Sequence, residues 1–217
     1  MTTTADLIVQ GLKDLGLSHL FCLPGVQNDD FFDALYPHRD TVRPIQVRHE
    51  QAAGYMALGA ALATGQPQAY CVVPGPGFLN TTAALSTAYA VNAPVLALIG
   101  QIPTGAIDRE YGLLHEIPNQ EGILGSLTKH ATRILEPEKA QSQLHEALTA
   151  LVNGRPRPVG IECPMDIWGS EVGSDSTLPP LEITPCAPST DAIELAAALL
   201  ERSEHPLIIV GGGAQHA

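Results

Sequence analysis

With 217 residues, 45% of them hydrophobic, the chain can bury a sizeable core as one large domain, or as one domain with part of another. A formal net charge of −12 with only 11 Lys plus Arg repels nucleic acid and anionic lipid, which argues against both as partners. No stretch is apolar over the length a bilayer requires, and the amino terminus lacks a basic region followed by an apolar run, so a cytoplasmic location and no membrane are expected.

The first helix is expected to follow a Thr4 N-cap, with Leu7, Ile8, Leu12 and Leu15 on one face and Gly16 as its stop. His19–Leu23 reads as a strand ending in the sharp turn Pro24-Gly25, after which Asn28 or Asp29 caps a helix through Leu35. Arg43–Val47 is a strand with Ile45 and Val47 buried, and it runs into a small-residue helix, Gln51–Thr64, closed by Gly65. Gln68–Val73 is almost continuously apolar, as befits a strand buried on both faces. Pro74-Gly75-Pro76-Gly77 breaks it, a helix follows over Leu79–Ala90, and Pro94–Ile99 is the next strand. Residues 102–118 form a long connection containing Gly and Pro. A strand at His130–Leu135, a helix at Pro137–Val152 and a strand at Pro158–Cys163 follow.

This alternation implies an α/β fold, a doubly wound six-stranded parallel sheet with right-handed crossovers and helices on both faces. Residues 169–188, rich in Gly, Ser and Pro, read as a linker from the domain at 1–168 to residues 189–217. Those last residues, a helix at Asp191–Arg202 and the strand PLIIVGGG, begin a second α/β unit that cannot bury a core alone and so reads as truncated. Cys22, Cys71, Cys163 and Cys186 lack zinc-site spacing and read as free thiols in a reducing compartment, three of them as small hydrophobes in strands.

Glu50 stands where a strand meets a helix. In open α/β sheets, ligands bind above the carboxyl ends of the strands. A Glu in a first helical turn is also favoured by the macrodipole alone, so its position admits both readings. Pro24-Gly25-Val26-Gln27, His49-Glu50 and Pro74-Gly75-Pro76-Gly77 each follow a strand and therefore share one edge of the sheet. Glycines there permit close approach of a ligand or positive φ, as they also do in plain tight turns. Gly211-Gly212-Gly213 does not complete a dinucleotide fingerprint, because His216 occupies the last glycine position.

The runs VRHEQAAGYMALGAALATG, VVPGPGFLN and PVLALIGQIP resemble the amino-terminal, pyrimidine-binding domain of thiamine-diphosphate-dependent enzymes, nearest the acetolactate synthase group. LGLSHLFCLPGVQNDDFFDAL and GRPRPVGIECPMDI extend the resemblance over residues 4 to about 168. It implies that Glu50 hydrogen-bonds a ring nitrogen of the cofactor's aminopyrimidine and favours the imino tautomer, which leads to the ylid that attacks a 2-keto acid. A carboxyl group in a dry setting shares a proton with the ring, whereas a Gln would hydrogen-bond without relaying it. Pro74, Gly75, Pro76 and Gly77 match the loop beside the pyrimidine, Asn80 matches the polar residue after it, and Gly25 matches the turn near the reacting carbon. Val26 and Gln27 replace the Gly-Ala pair common in acetolactate synthases and are the expected substrate-proximal departures. His115, in LLHEIPNQ, falls near the synthases' Gln and near the first His of related decarboxylases, and reads either as a proton carrier or as a solvated loop residue.

The resemblance further implies the amino-terminal part of a 2-keto acid carboligase or decarboxylase, inactive alone. Mg2+ and the diphosphate would be held by a carboxyl-terminal domain whose Gly-Asp-Gly segment does not occur here. FAD is carried by some members and stays open. A homodimer or homotetramer is implied, with the site shared between subunits; the exposed faces of the Ala- and Gly-rich helices at Gln51 and Leu79 are expected to pack against a second subunit, although small residues would serve equally against their own sheet. A noncatalytic homologue and one chain of a two-chain decarboxylase are the alternatives. A nucleotide-binding domain would share the fold, but Pro24-Gly25 lacks its phosphate-cradling pattern.

Overall fold

The computed structural model describes residues 1–173, 176–184 and 187–214. Cys186 and His216 lie outside the described residues. The chain divides into two compact units, Met1–Thr184 and Pro185–Ala217.

The first unit opens with a two-residue strand, β1 (Thr2–Thr3), and helix α1 (Thr4–Asp14). Thr3, one residue earlier than expected, is the N-cap. Its hydroxyl accepts from the Asp6 N–H at 3.1 Å while the Asp6 carboxylate accepts from the Thr3 N–H at 2.9 Å, so two otherwise orphaned donors are satisfied reciprocally. β2 (His19–Leu23), α2 (Asp29–Leu35), β3 (Arg43–Gln46) and α3 (Glu50–Thr64) follow. α3 begins at Glu50, after His49 accepts from the Gln51 N–H at 3.2 Å, and ends at Gly65 with φ 68°.

β4 (Gln68–Val72) leads to a broken pair of helices, α4 (Pro76–Leu79) and α5 (Thr82–Ala90), where one helix was expected. The break sits at Thr81, whose hydroxyl donates to the Phe78 carbonyl at 2.7 Å and also meets the Tyr70 hydroxyl at 2.8 Å. β5 (Val95–Gln101), α6 (Gln120–Ser126), β6 (His130–Arg133), α7 (Pro137–Val152), β7 (Val159–Pro164) and α8 (Met165–Trp168) complete the core. β8 (Glu171–Gly173), within the stretch expected as linker, pairs antiparallel with β1, and Leu178 is buried against the same unit.

Six strands form one parallel sheet in the order β3-β2-β4-β5-β7-β6. Alternation of side chains splits its core in two. On one face, Leu20, Cys22, Ala69, Cys71, Leu96, Leu98, Ile161 and Cys163 pack with α1, α2, α7 and α8. On the other, Tyr70, Val72, Val95, Ala97 and Ile99 pack with α3, α5 and α6. Every residue of β5 is buried, because both faces are covered. α3 and α5 lie close: a Cβ added at Gly54 would come 2.9 Å from the Ala84 Cβ. Each fully buried Leu or Phe contributes roughly 1.5–3 kcal/mol by leaving water.

Burial pushes the Cys22 thiol up to about 11, and it raises Cys71 and Cys163 too, so these three free thiols stay protonated and behave as hydrophobes. None of the described helices is long and apolar enough to cross a membrane.

The second unit contains α9 (Thr190–Glu201), capped by the Ser189 hydroxyl accepting from the Ala192 N–H at 3.2 Å. Residues 206–210, expected as a strand, adopt no regular structure, since a strand requires a partner and none is present among the described residues of this unit. Its apolar residues Ile193, Leu195, Leu199 and Ile209 are exposed.

Candidate functional site

The sheet order makes β2 and β4 neighbours whose following loops turn to opposite faces, which opens a crevice at their carboxyl ends. Gly25, Val26 and Gln27 follow β2; Pro74, Gly75, Pro76 and Gly77 follow β4; Glu50 follows β3. The three loops expected at one edge are there.

Glu50 starts α3 and is partly exposed. Its Oε2 accepts from the Asn80 Nδ2 at 2.9 Å, so the polar residue after the Pro-Gly loop orients the carboxylate. Its Oε1 lies 3.7 Å from where a Cβ on Gly77 would stand. A carboxylate with one oxygen held, and the other beside backbone that carries no side chain, suits a flat heteroaromatic group with a polar ring atom.

The glycines have distinct reasons. Gly75 has φ 58°, and a Cβ there would overlap the His115 carbonyl, so conformation and close approach both require glycine. Gly25 is extended, with φ −169°. Gly25 and Gly77 both make room for the buried side chain of Val73, the first against one methyl and the second against the other. Steric room for a valine, which sequence reasoning did not anticipate, therefore accounts for two of the three.

His115 joins the two sides. Its backbone packs on Gly75, and its Nδ1 is 3.1 Å from the Gln27 Oε1. Gln27 is buried, with its Nε2 donating to the Leu114 carbonyl at 3.3 Å and its own carbonyl accepting from the Trp168 Nε1 at 3.0 Å. Val26, beside it, is 53% exposed and so is available to a ligand.

Behind the loops lies a polar network that sequence reasoning missed. Gln120, at the start of α6, accepts from the Gly75 N–H at 2.7 Å and donates to the Gly100 carbonyl at 3.0 Å. Asn28 occupies the expected N-cap position of α2 but makes no side-chain cap bond; its buried Nδ2 instead donates to the Val72 carbonyl at 2.9 Å. Glu162 is fully buried at the end of β7, where Gln101 Nε2 donates to it at 2.9 Å and the neighbouring Arg133 pairs with it. Burial holds the Glu162 carboxyl above its ordinary value, and the Arg133 charge and the amides oppose this less strongly. Only the pairing of buried Glu and Gln on adjacent strand ends could have signalled the network.

Comparison with known proteins follows the same lines. Residues 2–123 match the family described as thiamine pyrophosphate enzyme, N-terminal TPP binding domain. The chain is 35% identical over 215 residues to a probable acetolactate synthase large subunit of Methanocaldococcus jannaschii, covering 96% of this chain and 36% of that one. It is 31% identical over 216 residues to a probable 2-ketoarginine decarboxylase of Pseudomonas aeruginosa, covering 98% of this chain and 38% of that one. It is 29% identical over 225 residues to the oxalyl-CoA decarboxylase of Escherichia coli, covering 100% of this chain and 39% of that one. The chain thus spans well under half the length of these relatives. By its matched residues, its parallel α/β sheet and its acetolactate-synthase-like sequence, the chain belongs to the thiamine pyrophosphate enzymes and carries their N-terminal TPP binding domain.

Proposed function

We propose that this chain supplies the pyrimidine side of a thiamine diphosphate site in a 2-keto acid decarboxylase or carboligase, with Glu50 as the group that exchanges a proton with the aminopyrimidine. The observation that carries the reading is the Asn80-held carboxylate of Glu50 at the carboxyl end of β3, with its second oxygen beside Gly77. A 2-keto acid is named in one relative, the 2-ketoarginine decarboxylase.

When bound, thiamine diphosphate supplies the electron sink for decarboxylation. The chain's own residues orient and protonate. Asn80 fixes the direction of the Glu50 carboxylate, and Glu50 holds or gives a proton at Oε1. Pro74, Gly75, Pro76 and Gly77 form a side-chain-poor wall, which Gln120 braces from behind. Val26, Gln27 and His115 border the substrate side, and Gly25 leaves the first loop free to approach. Residues 1–168 form the pyrimidine domain in this reading, 169–188 lead out of it, and 189–217 begin the central domain. Mg2+ and the diphosphate are assigned to residues outside this chain.

Glu50 is only partly buried here, and the carboxylate needs drier surroundings for proton exchange. Tyr55 (41% exposed), Met56 (41%) and Leu62 (58%) form an apolar strip along α3, which begins at Glu50. A second copy seated on this outward face would give a homodimer or homotetramer.

The test is calorimetry and 2-keto acid turnover on the complete protein, wild type against Glu50→Gln. Binding of thiamine diphosphate with Mg2+ should survive largely intact, while turnover falls on the order of 10²-fold or more. A wild-type protein that binds no cofactor sinks the reading, and so does a Glu50→Gln variant of unchanged turnover.

A further inference from the structure

Both ends of the Gln27 side-chain amide are engaged, and the network decides which atom is which. The Leu114 carbonyl can only accept, so the amide nitrogen faces it at 3.3 Å. Oε1 therefore faces the His115 ring, and Nδ1, 3.1 Å away, must donate. A rotated amide would set oxygen against oxygen and lose the bond to Leu114. Gln27 itself cannot drift, because it is 4% exposed and its carbonyl accepts from the Trp168 Nε1 at 3.0 Å, Trp168 being fully buried against Phe31.

His115 is held as firmly. Its φ of 70° is a left-handed conformation that costs a non-glycine residue free energy and persists where the surroundings enforce it. Here the enforcement comes from Gly75 on the backbone side and Gln27 on the ring side. Nε2 has no hydrogen-bond partner among the described residues, and the residue is half-buried at the crevice between β2 and β4.

We propose that Gln27 is a positioning residue that locks the neutral His115 ring with its proton on Nδ1, so that Nε2 offers a lone pair as a proton acceptor at the substrate side of the site. This rests on the reading of the site given above. The ring takes one proton at Nε2 from the reacting substrate or product and becomes imidazolium, while its Nδ1–H bond to Gln27 persists. The proton leaves from the same atom. Without the lock, a histidine ring in water favours the opposite tautomer, in which Nε2 is a donor and cannot act as a base.

The test is two-bond 1H–15N correlation spectroscopy on the complete protein labelled with 15N-histidine, at alkaline pH where the rings are neutral and with no cofactor added. His115→Gln identifies the His115 signals by their disappearance. Wild type should show the Nδ1–H pattern. Gln27→Met, which has no acceptor oxygen, should move the ring toward Nε2–H, and Gln27→Glu, whose carboxylate also accepts, should retain Nδ1–H. An Nε2–H pattern in wild type overturns the proposal even if Gln27→Met does not fold, as does a Gln27→Met spectrum identical to wild type. In cofactor-loaded enzyme, Gln27→Met should lower kcat on the order of 10²-fold without weakening thiamine diphosphate binding; an unchanged kcat also overturns it. Failure to bind thiamine diphosphate sinks the wider reading instead, and leaves the tautomer result standing.

Discussion

The two faces of the sheet are built differently. One carries α1, α2, α7 and α8 and is filled by Leu, Phe and Trp side chains, including the fully buried Trp168 and Phe31, whose rings lie 5.1 Å apart. α1 and α7 on this side turn an apolar stripe inward and polar residues outward, so the face is finished by water. The other carries α3 and α5, whose Ala and Gly residues let the helices approach closely while leaving Tyr55, Met56, Leu62 and Val91 exposed. The buried ion pair of Glu162 and Arg133 also lies on this side, since Ile161 and Cys163 point the other way. One face is packed by large side chains and finished by water; the other is packed by small ones and leaves apolar side chains exposed.

That contrast is testable by substitution. Trp168→Ala removes the largest fully buried side chain of the first face together with the donor that anchors Gln27, and should cost about 3–5 kcal/mol in chemical denaturation. A loss no larger than that of a surface change would erase the distinction. Glu162 probes the other face through pH. Its folded carboxyl titrates above the ordinary value of 4.5, so its favourable contribution is complete below 4.5 and is lost as pH rises through the raised folded value. Wild type should therefore lose stability relative to Glu162→Gln as pH climbs through that window; parallel curves would show that burial does not dominate. Tyr55→Lys should change unfolding by no more than about 0.5 kcal/mol yet weaken self-association of the complete protein, as read by size-exclusion chromatography with light scattering. A wild-type monomer at all concentrations would remove the interface.

Much of this architecture was legible from periodicity. All six sheet strands lie within two residues of their expected bounds, α7 matches at both ends, and the strands' apolar runs announced two covered faces. α6 was hidden because Gly122 and Gly125 interrupt its pattern and its N-cap, Asn119, sits at φ 51° without a side-chain cap. β1 and β8 are too short to carry any pattern, and their pairing joins distant parts of the chain. In the site, Glu50, Asn80 and the Pro-Gly loop were visible as motifs, and they converge. Gln120 and Trp168 were not, because each acts through a hydrogen bond to a loop far away in sequence that only the folded chain supplies.

Val73 has a wider meaning than its place behind the loops conveys. One methyl of this buried residue fills the space left by Gly25, and the other fills the space left by Gly77, so a single side chain acts as a shim between the two jaws. Changing its bulk would move both jaws together, and displacements near 1 Å in such settings alter rates about 10²-fold. The gauge of the crevice is thus held from a buried position, one step behind the surface that the two loops present.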